Sequence, residues 1–140
     1  MADRYVDTNV IIRLLTRDDP LKGAEAESLF SHVEQGSLTL AAPDTVIADA
    51  VFVLASPHNY NFHRNQIAAM LIPLVKLTNF HVDNRDVVMR ALEIYGSVTI
   101  DFGDAMIVAS MEATGATELY SYDTDFDHFQ AIVRNPDLLV

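Results

Sequence analysis

The stretch Arg4–Leu15, RYVDTNVIIRLL, passes from a strand pattern to a helix pattern at one acidic residue, Asp7. The residues RYV predict a short strand. The segment from Asn9 to about Thr16 predicts a helix, because its apolar residues recur at helical spacing. A strand that leads directly into a helix is the first half of an α/β unit. Asp7 is then expected at the carboxyl end of the first strand, the edge of a parallel sheet at which ligands bind.

The rest of the chain repeats this alternation of strands and helices. Further strands are predicted at SLTLA, NFHV and ELYSY, with an edge strand at the late IV pair, and helices at about 20–35, 44–55, 62–77 with a kink at Pro73, 84–95 and 102–114. The pattern predicts an α/β fold with a mainly parallel sheet covered by helices. Since no repeat or linker-like segment interrupts it, we expect a single domain over residues 1–140.

The charge of the chain limits how it can bind its partners. Nine basic residues stand against 20 acidic ones, giving a net charge of −11. The basic footprint typical of nucleic-acid-binding proteins is missing, so contact with a polyanion needs bound metal or clustered arginines. Seven of the nine basic residues are arginine, whose planar fork matches phosphate.

Composition also bears on compartment. The absence of cysteine excludes disulfides and thiolate metal sites. The opening MADRYVDTNV does not have the order of a signal peptide, and the apolar run IAAMLIPLV is too short to cross a bilayer. We therefore expect a soluble cytoplasmic protein without a membrane partner.

Four aspartates lie in apolar surroundings that do not usually hold an acid. Asp7 and Asp123 each follow a predicted strand, while Asp49 and Asp104 lie in the apolar segments VIADAVFVLA and FGDAMIVASM. A buried carboxylate is costly unless it is paired or coordinates a metal. Convergence on one divalent cation explains all four together, and all-oxygen ligation suits Mg²⁺ or Mn²⁺.

Each acid also has a simpler explanation. Asp7 is a possible cap for the following helix, although Thr8 is an equally suitable one. Asp104 is a possible member of a capping box begun by Asp101, and Asp123 is a favourable turn residue. Asp49 has the weakest alternative, because the interior of an apolar helix offers its side chain no backbone donor.

The order of these segments resembles the PIN-domain ribonucleases. The resemblance rests on YVDTN, an acid in an apolar helix after Pro43, DFGDAMIVA and LYSYDTDF, and it extends from Arg4 to about Phe129. The opening VDTNVIIRLLTRDDP is similar in particular to VapC-type toxins of toxin–antitoxin pairs. The resemblance implies a three-layer α/β/α domain, an acidic cluster that binds Mg²⁺ or Mn²⁺, and hydrolysis of RNA phosphodiesters by an endoribonuclease.

Matched by position, the resemblance assigns roles to individual residues. It implies that Asp7, Asp104 and Asp123 are metal ligands, and that Asp49 is a further ligand or orients the attacking water. Thr8, Asn9 and Asp125 would support the site. The family pattern has glutamate where this chain has Asp49, whose side chain is one methylene shorter, so a weakened or inactive acidic binding module is the alternative function.

RNA contacts and partners are expected as follows. Arg13 and Arg17 are four residues apart on the first predicted helix and could bind RNA phosphates, with exposed arginines as the alternative. Phe30, Phe52, Phe62 and Tyr95 are interpreted as core residues. A cognate antitoxin is implied by the resemblance, and its docking groove or a homodimer interface is expected around Leu29, Phe30, Met70 and Leu71, with core burial as the alternative.

A phosphotransfer protein is a third possibility, since receiver domains and phosphoaspartate phosphatases also place acids at strand ends. The phosphatase pattern needs a second aspartate two residues after the first, where this chain has Asn9. A receiver needs a lysine after a late strand, and the only lysines are Lys22 and Lys76. This class is therefore disfavoured.

Overall fold

The structure, a computed structural model, describes residues 4–138 of the chain. Strands and helices alternate along most of its length. The strands are β1 (Arg4–Tyr5), β2 (Leu40–Ala42), β3 (Phe80–Val82), β4 (Glu118–Tyr120) and β5 (Val133–Asn135). The helices are α1 (Thr8–Thr16), α2 (Pro20–Gln35), α3 (Asp44–Ala55), α4 (Arg64–Val75), α5 (Arg85–Ser97) and α6 (Phe102–Thr114), and a short 3₁₀ helix spans Thr124–His128.

The predicted α/β class with parallel strands is confirmed. β2 lies between β1 and β3, and both pairings are parallel, with Leu40 opposite Arg4 on one side and Phe80 on the other. β4 and β5 form a second parallel pair, in which Glu118 lies opposite Val133. The carboxyl ends of β1, β2 and β3 therefore point to one edge, and Asp7 follows β1 at that edge.

Helix boundaries differ from the predicted ones where the backbone leaves helical geometry. α4 begins at Arg64 rather than at Phe62, because His63 is extended. α5 begins after Asn84, whose φ of 55° is left-handed. α5 also continues through Gly96 to Ser97, two residues beyond its predicted end at 95. The bounds of α2, α3 and α6 agree with the predicted ranges.

The core lies between the three-stranded sheet and the helices that cover it. All three residues of β2 are buried, and α3 contributes one face to the core, formed by Ile47, Ala50, Val51 and Leu54. Phe30 of α2 meets Phe80 of β3 edge to face, with 5.4 Å between ring centroids. Burial of this face of α3 leaves its opposite face to solvent, which determines how the acid on that helix is presented.

Arg64 fixes the segment that leads into α6. Its Nη1 donates to the carbonyl oxygens of Tyr95, Val98 and Ile100 at 3.0, 2.8 and 2.9 Å. The same guanidinium lies 4.5 Å from the centre of the Tyr95 ring, a cation–π contact. These bonds satisfy carbonyls at the end of α5 and thereby position the start of α6, which carries Asp104.

No helix within residues 4–138 has both the length and the apolar composition needed to cross a membrane.

Close packing between α4 and α5 gives a test of the fold. A Cβ atom added at Gly96 would lie 2.8 Å from the Cβ of Ala68. Gly96→Ala is therefore expected to lower the free energy of unfolding by about 1–3 kcal/mol, the usual cost of overpacking a core. Urea unfolding followed by circular dichroism measures this change.

Gly103→Ala is the matched control, because a Cβ there meets nothing within 4 Å. The control should gain up to about 1 kcal/mol from the better helix propensity of alanine. Equal unfolding midpoints for Gly96→Ala and the wild type would contradict the proposed close contact.

Candidate active site

The four aspartates are more exposed than their apolar sequence neighbours suggest. Asp7, Asp49 and Asp123 are exposed, and Asp104 is half-buried. No charged side chain within residues 4–138 is buried. The premise that these carboxylates are enclosed by apolar residues is therefore wrong. On α3 and α6, the buried residues occupy the face that packs against the core, and Asp7 and Asp123 lie in exposed connections after strands.

Asp7 lies between β1 and α1 and caps the helix. Its backbone is extended, with φ −98° and ψ 177°, and its Oδ1 accepts a hydrogen bond from the backbone N of Val10 at 3.3 Å. The capping alternative is thus realised, with Asp7 rather than Thr8 as the cap. This bond orients the carboxylate at the edge of the sheet, and Oδ2 makes no hydrogen bond to the described residues.

Asp49 shares a shallow pocket with Asp7. The pocket is about 420 Å³ and is lined by Asp7, Thr8, Asn9, Asp49, Phe52 and Val53. Asp49 projects from the solvent side of α3, so its carboxylate needs no backbone donor. Within residues 4–138, Thr8 and Asn9 make no hydrogen bond to the Asp7 carboxylate, and their supporting role stays a prediction.

Asp104 lies in the first turn of α6 among other acids. Partial burial raises its pKa above the ordinary aspartate value. Three nearby negative charges raise the pKa further, and they belong to Asp123, Asp101 and Asp125. The side chain of Asp101 makes no capping hydrogen bond at the start of α6, so the predicted capping box does not form.

Asp123 and Asp125 belong to the turn that follows β4. Asp123 Oδ1 accepts from the backbone N of Asp125 at 2.8 Å, which realises the turn alternative. Arg134 on β5 steadies this turn by donating from Nη1 to the carbonyl oxygen of Ser121 at 3.2 Å. The same guanidinium holds Asp127 through two bonds of 2.8 and 3.0 Å and lowers the pKa of that carboxyl.

The acids thus form two groups. The first, called here the α1–α3 pair, is Asp7 and Asp49. The second, called the α6 group, is Asp104 with Asp101, Asp123 and Asp125. Within residues 4–138, no three His, Cys, Asp or Glu side chains are arranged so that they could hold a metal ion as they stand. The donor chemistry nevertheless fits a hard divalent cation, because every donor is a carboxylate oxygen on an exposed or half-exposed residue. A cation would also offset the repulsion between Asp104 and the acids near it.

The exposed position of Phe52 was not predicted from the sequence. Its interpretation as a core residue is wrong, because its side chain is 76% exposed, whereas Phe30 and Tyr95 are buried as expected and Phe62 is half-buried. The available signal was its spacing, since Phe52 is three residues after Asp49 and therefore lies on the same exposed face of α3.

The two arginines predicted to contact RNA are each paired with an acid. Arg13 Nη1 lies 2.9 Å from Asp18 Oδ1, and Arg17 Nη1 lies 2.9 Å from Glu27 Oε2. Asp18 also accepts a hydrogen bond from Tyr60, and these bonds lower its pKa to about 2. RNA binding by Arg13 and Arg17 stays a prediction, and it would require phosphate to replace these carboxylates.

Comparison with protein families supplies the context for this arrangement. The family described as PIN domain matches residues 4–132. The chain belongs to the PIN-domain family. PIN domains are generally nucleases, so the α1–α3 pair and the α6 group lie on a nuclease-type fold. The family match does not distinguish a VapC-type toxin from other PIN-domain proteins. A comparison with curated proteins gave no match.

The charge on Asp104 predicts how the stability of this PIN domain depends on pH. A raised folded-state pKa means that folding disfavours the ionised carboxylate, so stability is highest below the ordinary aspartate pKa and falls as pH rises through the raised value. Asp104→Asn should therefore raise the thermal midpoint at pH 7. The difference from the wild type should vanish in acid, below about pH 3.8, the ordinary aspartate pKa.

Thermal unfolding from pH 3 to pH 8 measures the effect. Asp44→Asn, on the first turn of α3, is the control for loss of a negative charge outside the α6 group. A lower midpoint for Asp104→Asn at pH 7 would show that the repulsion is outweighed by contacts of the carboxylate.

Proposed function

We propose that this PIN-domain protein is a divalent-metal-dependent endoribonuclease that hydrolyses RNA phosphodiester bonds. The observation that carries the proposal is that the fold brings acids from separate parts of the chain together in two places. Asp7 and Asp49 line one shallow pocket. Asp104 of α6 lies near enough to Asp123 and Asp125, in the turn after β4, for their charges to raise its pKa.

Each acid has a distinct part in the proposal. Asp7, Asp104 and Asp123 hold Mg²⁺ or Mn²⁺, and Asp49 is a further ligand or orients the attacking water. Asp7 and Asp123 are pre-oriented by the bonds that their Oδ1 atoms accept, from Val10 N and Asp125 N respectively. Asp125 supports the site through its main chain, while Thr8 and Asn9 lie beside the α1–α3 pair.

A bound divalent ion supplies positive charge that offsets the phosphodiester and lowers the pKa of water, giving a nucleophile near neutral pH. The protein residues hold the oxygen donors at the surface and leave space for phosphate beside them. Asp104 is half-buried, so its side chain is partly shielded from water. No nucleophilic side chain is required.

The proposal extends to a VapC-like toxin controlled by a cognate antitoxin. Supporting it is a groove of about 380 Å³ between α1, α2 and α4, with Leu14, Met70 and Leu77 on its walls and Glu27 and Glu34 among its lining residues. Such a groove suits the apolar face of a basic helix.

Of the residues expected there, Phe30 and Leu71 are buried in the core, whereas Leu29 and Met70 are partly exposed. A homodimer is the competing use of the same surface.

A catalytically weakened, acidic binding module is the second candidate. The short side chain of Asp49 favours it, because glutamate is the family residue at that position. The absence of a ready three-ligand arrangement among the described residues is consistent with the same alternative. This candidate retains the fold and the acidic surface but predicts weak hydrolysis or none.

Cleavage of RNA by Asp7→Asn tests the proposal. The wild type should cleave single-stranded RNA with Mg²⁺ or Mn²⁺ and lose activity in EDTA. Asp7→Asn should lower kcat/KM by about 100-fold or more, since even outer residues of metal sites cost 10- to 100-fold. Asparagine caps helices as well as aspartate does, so the fold should be retained.

Asp19→Asn is the matched control, because Asp19 caps α2 through Lys22 N at 3.1 Å but lies outside both acid groups. Its activity should equal that of the wild type. Equal cleavage by the wild type and Asp7→Asn would remove Asp7 from the mechanism. No cleavage by the wild type with either metal would favour the binding module.

Asp49→Glu tests whether side-chain length limits the activity. The longer carboxylate reaches further from α3 and should raise kcat/KM with Mn²⁺, whereas Asp49→Asn should lower it. Both substitutions lie at an exposed position and should leave the unfolding midpoint nearly unchanged. A fall in kcat/KM for Asp49→Glu would mean that the site is built for the shorter acid.

A further inference from the structure

We propose that a cavity between α3 and α6 receives a nucleobase of single-stranded RNA, with the ring of Phe52 as its stacking platform. The inference rests on the proposed nuclease function and adds to it the means by which the substrate is held. Phe52, which lies on the exposed side of α3, then helps to position the substrate.

Phe52 has the exposure and the place that a platform needs. Its ring is the most exposed of the large apolar side chains within residues 4–138, at 76%. Position 52 is one helical turn after Asp49, so ring and carboxylate lie side by side on the solvent face of α3. An aromatic ring beside an acid of the proposed site can hold a base while the adjoining phosphate lies at the acids.

Phe52 lines both the shallow pocket that holds Asp7 and Asp49 and the larger cavity, whose lining includes Asp101. Apolar side chains form much of the wall of this cavity, among them Val51, Ala55, Pro57 and Phe102. Polar groups lie among them, including the carboxylate of Asp101 and the hydroxyl of Ser56. An apolar wall with a few polar groups matches a nucleobase, which has an apolar face and a hydrogen-bonding edge. The volume of about 580 Å³ lies in the range of small-ligand pockets.

The charges of the protein favour a contact that does not depend on attraction between opposite charges. The net charge is −11, and most of the arginines are already engaged. Arg13, Arg17, Arg90 and Arg134 are paired with carboxylates, and Arg64 and Arg85 donate to main-chain carbonyl oxygens. General attraction for phosphate is therefore weak, whereas stacking on an aromatic ring does not depend on protein charge. The pairing of Arg13 and Arg17 strengthens the case for Phe52 as an RNA contact.

Variants at position 52 test the proposal in steady-state cleavage of a single-stranded RNA oligonucleotide with Mn²⁺. Phe52→Ala and Phe52→Leu should each raise KM about 10- to 100-fold, the range expected for loss of one stacked base. Phe52→Trp should restore KM because it restores an aromatic face. Leucine retains apolar surface but has no aromatic face, so Phe52→Leu distinguishes aromatic stacking from the burial of apolar surface. Leu21→Ala is the control, since Leu21 on α2 is 71% exposed and lies outside the cavity.

The outcomes separate this inference from the nuclease proposal. RNA cleavage by the wild type with an unchanged KM in Phe52→Ala would overturn the stacking platform and leave the nuclease intact. If the wild type does not cleave, binding of the same labelled oligonucleotide decides, and a loss of affinity in Phe52→Ala and Phe52→Leu that Phe52→Trp reverses would support the platform alone. A change of oligomeric state in Phe52→Ala with RNA affinity unchanged would overturn it in favour of a protein contact.

Discussion

The parallel pairing of β1 with β2 is the constraint on which the proposed site depends. β1 has only two residues, and the backbone N of Val6 extends its pairing by donating to the carbonyl oxygen of Ala41 at 3.1 Å. The chain then turns into α1 directly at Asp7, so the register of β1 determines where this carboxylate lies. A one-residue shift of that register would turn the buried side chain of Val6 away from the core, so the position of Asp7 is tied to the packing of the core.

Repulsion among carboxylates is the second physical feature of the site. The main chain holds two of the proposed ligands where their charges meet, since the turn after β4 orients Asp123 and α6 carries Asp104. Partial burial of Asp104 and repulsion from nearby acids both raise its pKa. A fold that keeps like charges together at its surface bears a cost that a cation can remove. The same reasoning connects the stability of the free protein to its proposed catalysis, since two of the proposed ligands, Asp104 and Asp123, are among the acids that repel one another.

The α/β class, most helix boundaries and the strand-end location of Asp7 could be predicted from sequence, because they follow from hydrophobic periodicity and turn chemistry. The exposure of the acids could not. Asp49 is surrounded in the chain by apolar residues, and only the packing of α3 distinguishes the residues that face the core from Phe52, which does not. Likewise, the pairing of Arg17 with Glu27 joins two helices and depends on how α1 packs against α2. The resemblance to PIN domains supplied the roles of the acids, which local patterns alone left open.

The proposed function requires an acidic protein to bind an acidic polymer, and the distribution of charged groups suggests how it could do so. Several arginines make contacts that stabilise the fold. Arg64 donates a hydrogen bond to the segment that leads into α6, and Arg134 donates one to the turn that carries Asp123. Their charge therefore maintains the geometry of the acids. In the proposed mechanism, affinity for RNA would come from two short-range contributions, a cation at the acids and an aromatic ring beside them. Both would act only when the RNA is already in place, so the proposed site would favour flexible single strands, whose bases can leave the stack and reach the cavity.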